Sequence, residues 1–397
     1  MNDYGDWRTE YAALRESAGV LDLSFRGRIC LVGADRIRFL HGQVTNDVKI
    51  LRVGEGCYAA LVTAKGKMES DLNIFCLADE LLLDFEPGLT EKVLQRLERF
   101  IVADDIQIVD AAPHYGLLSV QGPKAEAVVR ALWLFGVRPS GGPVNANPNR
   151  VNAELPAEPF DSVKISDATL GEIYLTNPPR LFLSGSSGRE SAHALLHESH
   201  SRPTSAATGD LISAGFDLFV PNSSLGAVAD RLITAARQVG GCAAGWRAFE
   251  TARIEAGIPR FGVDMDETNL PLECGIENRA VSYHKGCYIG QEVINRIHSF
   301  GHVTKELRGL HLADDLKTLP QRGDKLFRDD KEIGYITSAV KLPTLDPLVA
   351  PKLQSEGGNI ALGYIRREAN QVGTELTLKT AAGESSAKIV ELPFVKW

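Results

Sequence analysis

The sequence predicts an α+β fold that closes with a small β-barrel. Three observations carry this. The chain has 397 residues, too many for one core at roughly 100–200 residues per domain, so two or three are expected. Strand-like and helix-like stretches interleave through residues 1–300, with hairpins among them, which favours mixed packing over a purely parallel sheet. Beyond Gly301 the texture changes to short strands broken by Gly and Asp turns, the pattern of a small barrel spanning 301–397.

Each element has a local reason. A strand over Arg28–Val32 precedes the turn Gly33-Ala34-Asp35, and the helix that follows stops at Gly42, a good residue just past a helix end. CYAALVT and MESDLNIFCL flank Ala64-Lys65-Gly66-Lys67, which reads as a hairpin, with a third strand at Leu81–Phe85. Val93, Leu94, Leu97 and Phe100 recur at helical spacing over Thr90–Phe100. Tyr115–Val120 is strand-like and leads through Pro123, tolerated in a first turn, into a helix over Lys124–Phe135. The stretch near 139–160 is rich in Pro, Gly and Asn and reads as an inserted loop. Regular structure is expected again at Leu181–Leu183, in a helix over Arg189–Glu198, in a strand over Ala214–Val220 and in a helix over Leu225–Val239.

Composition excludes several classes. With 43 basic against 51 acidic side chains the formal charge is −8, which argues against nucleic acid as the main partner. No apolar run approaches the ~20 residues that span a bilayer, and the N-terminus lacks the basic start and apolar stretch of a signal peptide. A cytoplasmic protein is the expectation. Cys30, Cys57, Cys76, Cys242, Cys274 and Cys287 form no C-x-x-C pair, so they read as reduced thiols rather than a zinc or thioredoxin-like site.

Four constellations could carry chemistry. In Lys285-Gly286-Cys287-Tyr288-Ile289-Gly290-Gln291-Glu292, a thiol beside a cation and before a helix-like run would be favoured as thiolate. That suits a nucleophile, a redox thiol or a metal ligand; a buried cysteine in a tight turn is an equal reading. Asp71, Asn73 and Phe75 share one strand face, with Tyr58 on the facing strand. Such a face could hold a flat heterocycle, although alternation alone fits an exposed polar face better. His193, His197 and His200 have i, i+4 and i+3 spacing on a predicted helix, but lack a third ligand, so a solvated helix end is favoured over a metal site. Asp264-x-Asp266 lacks the glycine of a calcium loop, and phosphate-loop, dinucleotide and G-x-S-x-G motifs are absent. No metal is expected.

Taken in order, AGVLDLS, FLHGQVTND, CYAALVTAKGKMESDL, VQGPKA, AGFDLFVP, RIEAGIPRFGVDMDETNLPLECGI, KGCYIGQEV and IGYITS resemble the glycine-cleavage T-protein (aminomethyltransferase) superfamily from about residue 18 to the C-terminus. K-G-C-Y-x-G-Q-E resembles the signature of its YgfZ-type folate-binding branch, which is associated with maturation or repair of iron–sulfur enzymes. The resemblance implies a three-lobed, ring-like fold: two interleaved lobes within 1–300, the barrel as third lobe, and a central hole for tetrahydrofolate or a one-carbon derivative. It makes Tyr58 a pterin-pocket tyrosine and Asp71 the carboxylate that orients folate near its reactive nitrogens. Asp217 stands where the transferase usually has a glutamate gripping the pterin edge, and Arg253 of R-I-E-A-G is retained.

The departures from the transferase pattern are equally specific. Ala248-Phe249-Glu250 replaces Ala-Arg-Asp, Ser24-Phe25-Arg26-Gly27 replaces Ser-His-Met-Gly, and Cys287 is gained. The resemblance therefore implies a YgfZ-type tetrahydrofolate-binding protein that assists iron–sulfur client proteins, with Asp71 and Cys287 as the reactive residues. The alternative it implies is an aminomethyltransferase moving a one-carbon unit from an aminomethylated lipoyl carrier to tetrahydrofolate.

Overall fold

Asp6 starts the first helix by accepting the Arg8 amide at 3.2 Å, a side-chain cap on α1 (Trp7–Glu16). Tyr11 and Leu14 of that helix are fully buried. The computed structural model describes residues 3–134, 138–139, 155–156, 159–181, 215–344 and 358–394. After β1 (Gly19–Asp22) come β2 (Gly27–Val32), α2 (Arg36–Gln43), β3 (Gly56–Val62), β4 (Met68–Cys76), β5 (Glu80–Phe85), α3 (Thr90–Glu98) and β6 (Gln107–Asp110). These strands, β1 excepted, form an antiparallel five-stranded sheet in the order β3-β4-β5-β2-β6. Alternation decides which side is covered. Ile29, Leu31, Leu72, Ile74, Leu81 and Leu83 meet Phe39 and Leu40 of α2 and Val93 and Leu97 of α3. Helix α3 ends at Glu98, short of the expected Phe100, which is partly exposed.

The second sheet joins β7 (Tyr115–Gln121), β8 (Arg138–Pro139), β9 (Ser162–Asp167), β10 (Gly171–Thr176), β11 (Phe216–Pro221) and β12 (Cys242–Ala243) to β1, in the order β12-β1-β7-β11-β10-β9-β8. Its helices are α4 (Ala125–Leu134) and α5 (Leu225–Gln238), whose Val128, Leu132, Val228 and Leu232 cover Leu118, Val120, Leu218 and Val220. Strand β1 sits in one sheet and β2 in the other, so the two lobes interleave. Their remaining faces meet through Cys30, Phe75, Leu82, Leu117 and Phe219.

Helices α6 (Trp246–Glu255), α7 (Glu277–Ala280) and α8 (Gln291–Phe300) lead to the barrel. Its strands β13 (Lys305–Leu312), β14 (Lys325–Arg328), β15 (Lys331–Leu342), β16 (Gly358–Arg366), β17 (Glu375–Thr380) and β18 (Gly383–Val390) close in the order β13-β16-β15-β14-β17-β18. Leu310, Leu326, Ile336, Leu378 and Ile389 fill the interior. The fold is mixed α and β with a closed C-terminal barrel, as expected.

Three differences from the sequence reading stand out. Helix α1 and the hairpin β9–β10 were not expected. The expected helix Arg189–Glu198, with His193, His197 and His200, lies outside the described residues, as does most of 139–160. Of Leu181–Leu183 only Leu181 is described, in a bend rather than a strand. Among the described residues no helix is long and apolar enough to cross a membrane.

Candidate functional site

The β3–β4 hairpin sets the site. Tyr58 pairs directly with Asn73 and Ala60 with Asp71 across the two strands, so the Tyr58 and Asp71 side chains emerge diagonally on one face. Tyr58 Oη donates to Asp71 Oδ2 at 2.8 Å, while the buried Asp71 Oδ1 has no partner among the described residues. Burial first, then the nearby Glu86 charge, push the Asp71 carboxyl up to about 6, against the pull of Tyr58 and Arg26. Burial and Asp71 together raise Tyr58 well above the usual phenol range, so its hydroxyl stays a donor.

Around this pair lies a narrow cavity of about 80 Å³, where the hairpin, the residues flanking β9 and β10 (Phe160 and Pro178–Arg180) and the α6 region meet. Asn73 lines it and donates to Asp84 Oδ2 at 2.9 Å. Asp84 also accepts from Arg26 Nε at 2.8 Å and Arg180 Nη2 at 2.8 Å. Burial alone would raise Asp84, yet these two guanidiniums hold it well below the carboxylate range. Arg26 also pairs with Glu86.

Phe75 shares the face but not the cavity. Two residues beyond Asn73, it is fully buried between the sheets, with its ring centroid 5.8 Å from Phe219 and 6.3 Å from Phe160. Asp217 does not line the cavity either. It is fully buried and accepts from Arg180 Nε at 2.6 Å, so Arg180, not Asp217, presents polar atoms to the cavity. Arg253 lines the cavity, but its guanidinium is taken by Asp264 and Glu250 and by Ser338 Oγ at 2.9 Å. Arg260 bonds Glu250 at 3.0 Å and covers Trp246. Arg279 lies over the Tyr58 ring at 5.4 Å, with no carboxylate in ion-pair distance among the described residues.

The Lys285–Glu292 stretch lies behind this wall rather than in it. Lys285 Nζ donates to the carbonyls of His41, Val44 and Asn46 at 2.6, 2.7 and 2.7 Å, capping the end of α2. Asn46 in turn donates to the carbonyls of Tyr58 and Arg279. Burial pulls Lys285 down to about 8. Gly290 has φ of +85°, and a Cβ there would sit 2.5 Å from the Thr63 carbonyl, so its glycine is required by close backbone approach. Gln291 and Glu292 open α8, and buried Ile294 anchors it. Cys287 is exposed and does not line the cavity. Two parts of the sequence reading need correction: Cys287 is not at a helix start, since α8 begins four residues later, and it is not buried in a tight turn. Gly286 lies in irregular backbone, where a Cβ would meet its nearest atom, of the His41 ring, at 3.6 Å. Among the described residues no three His, Cys, Asp or Glu side chains converge to hold a metal.

Sequence reasoning missed Arg26, Asp84, Glu86, Arg180, Arg260 and Arg279. One signal was available: Asp84 interrupts an otherwise apolar strand, Leu81–Phe85, where an unpaired carboxylate would be untenable.

Profiles of known families match the chain in two blocks. The GCVT N-terminal domain matches residues 3–137 and 208–285, and the glycine cleavage T-protein C-terminal barrel domain matches 305–396. The chain belongs to the glycine-cleavage T-protein family. Among curated members, aminomethyltransferases of Halalkalibacterium halodurans and Bacillus subtilis are each 25% identical to it, over 99% of this chain and 93% and 94% of theirs. The crystal structure of glycine cleavage system aminomethyltransferase T from Bartonella henselae superposes with a TM-score of 0.72 at 20% identity. That match covers 98% of this chain and 89% of the other, and shows the shared fold.

Proposed function

We propose that this chain binds tetrahydrofolate in the central cavity and carries out an aminomethyltransferase-type one-carbon transfer, with a lipoyl carrier protein as donor. The observation that carries the reading is Asp71, which lines the cavity with one oxygen fixed by Tyr58 and the other buried without a partner among the described residues. An orphaned buried acceptor calls for a donor, and a pterin edge offers several N–H groups. Tyr58, Phe160 and Phe249 supply apolar walls for a flat ring, and Arg279 supplies a cation for an anionic tail. A pterin is bulkier than the space now open, so Arg260 and Arg279 turn aside to admit it, as their flexible stems allow.

When bound, tetrahydrofolate supplies the nitrogens that accept the one-carbon unit. The chain's own contribution is electrostatic and positional. Asp71 orients the ring, stabilises positive charge developing on a nitrogen, and at about 6 is ionised at neutral pH yet able to hold a proton transiently. Asp84 and Arg180 fix the cavity's far wall.

A second reading rests on two observations of its own. Phe249 lines the cavity where the transferase pattern has an arginine, and Cys287 is displayed at the surface on a loop locked by Lys285. These favour a YgfZ-type factor that binds tetrahydrofolate and serves iron–sulfur client proteins through Cys287. One assay separates the two. Purified protein is mixed with an aminomethylated lipoyl carrier and tetrahydrofolate, and methylene-tetrahydrofolate and bound folate are followed in the same sample. Turnover is the expected result. Folate binding without turnover moves the conclusion to the accessory reading, and absence of folate binding overturns both.

A further inference from the structure

A second cavity, of about 180 Å³, lies between the two sheets and shares no lining residue with the central one. Alternation builds it. Arg28 and Cys30 of β2, with Glu80 and Leu82 of β5, emerge opposite to the residues that meet α2 and α3. Tyr174 and Phe219, paired in register on β10 and β11, form the facing wall.

Arg28 is the anomaly. It is 1% exposed, and its Nη2 donates to the Ser24 carbonyl at 2.9 Å. Its Nε and Nη1 are buried without any hydrogen-bond partner among the described residues. Asp84 is its cross-strand neighbour and the natural counter-ion, but Arg26, Asn73 and Arg180 already occupy the Asp84 oxygens. Glu86 is taken by Arg26 as well, and Asp22 and Asp110, whose charges also reach Arg28, make no hydrogen bond to it. A guanidinium held out of water with unmet donors is strongly unfavourable unless something supplies an anion. The rest of the cavity is largely aliphatic and aromatic. Glu80 stands four residues along the sheet from Asp84, about 13 Å at the strand rise, and so disfavours a second negative charge at the far end.

We propose that this cavity is a binding site for a small monocarboxylate with an apolar body of about one ring, its carboxylate paired with Arg28. The site is separate from the folate reading and does not depend on it. The charge pattern makes three demands on a ligand: one negative charge, an apolar remainder, and nothing anionic at the end facing Glu80.

Calorimetric titration of the full-length protein with benzoate, benzamide and terephthalate, in a buffer free of carboxylates, tests this directly. Benzoate is expected to bind one per chain, at least tenfold tighter than the neutral amide and the dianion. Arg28→Met, which keeps the stem and removes the charge, is expected to weaken benzoate at least tenfold. Ala111→Leu fills the same cavity from the residue just past β6 while leaving the arginine in place, and is expected to do likewise. Equal affinity for benzoate and benzamide, or no benzoate binding at millimolar concentration, overturns the proposal. Undiminished binding to Ala111→Leu puts benzoate elsewhere and overturns it too. Should Arg28→Met fail to fold, the three-ligand comparison on the parent protein and Ala111→Leu still decide.

Discussion

At the scale of a residue, Asp71 shows how a site is held at the expense of stability. Its carboxyl titrates at about 6 in the fold, against roughly 3.9 in an unfolded chain. A carboxyl whose folded pKa is raised favours the fold when protonated. That contribution is complete below about pH 4 and is lost as pH rises through about 6. Ionised at neutral pH, Asp71 therefore burdens the fold by about 2–3 kcal/mol on linkage arithmetic. Asp71→Asn keeps an acceptor for Tyr58 and removes the charge, so its melting temperature should exceed the parent's by several degrees near about pH 7.5, with the gap shrinking towards about pH 4.5. Calorimetric scans at both pH values check this, and a gap independent of pH would refute it. Any one-carbon turnover should be abolished in the same variant, and in the parent should rise with pH through about 6. Tyr58 and Asp71 were legible in the sequence because strand alternation and one hairpin suffice to bring them together. Phe75 obeys the same alternation, yet its end of the strand runs into the second sheet, which no local pattern reveals. Arg180 was illegible for the same reason: its partners Asp84 and Asp217 lie 96 and 37 residues away.

At the scale of an element, Lys285 explains why the loop before α8 has one shape. It is 7% exposed and answers three carbonyls at the end of α2. Its lowered pKa means that burial of the charge is not fully offset, so the lysine earns its place through the hydrogen bonds. Lys285→Met should destabilise by about 2–4 kcal/mol, because buried carbonyls lose charge-assisted donors. Amide hydrogen exchange should accelerate at the end of α2 and over residues 284–290, while the barrel strands keep their protection. Uniform acceleration across the chain would show instead that the loop unfolds only with the whole. Among elements, the barrel strands and the β3–β4 hairpin were legible because Gly and Asp turns punctuate strongly β-forming runs. Strands β9 and β10 were not, since they follow a Pro- and Asn-rich stretch that reads as loop. Helix α1 carried its own signals, Asp6 as cap and Tyr11 with Leu14 at helical spacing, but it gains its burial against α6, β1 and β12, which no local pattern reveals.

At the scale of the whole molecule, buried ion pairs tie three apolar bodies around the cavity. Arg180 joins Asp84 of the first sheet to Asp217 of the second. Arg253 of α6 meets Asp264, which also accepts from Thr337 and Ser338 of the barrel at 2.6 Å each. The register shift in β15 between Ile336 and Ser338 explains the second link, since an extra residue in one strand turns two adjacent hydroxyls towards the same carboxylate. A shared apolar cluster lies alongside, from Ala60 and Val62 through Ile254 and Tyr288 to Tyr364. Removing Asp264 leaves the buried Arg253 with Glu250 as its one carboxylate among the described residues, and takes an acceptor from both hydroxyls, Thr337 keeping the Leu362 carbonyl and Ser338 the Arg253 guanidinium. Asp264→Ala should therefore destabilise by about 3–5 kcal/mol, the usual effect of breaking one side of a buried pair. Its consequence should also be directional: the barrel loses its most buried charged tie to α6, so it should melt apart from the two sheets. Scanning calorimetry of the parent should give one transition and that of the variant two, with limited proteolysis releasing a fragment that begins near Gly301. A single transition moved to lower temperature would mean that the apolar cluster, and not the Arg253–Asp264 link, couples the barrel to the sheets.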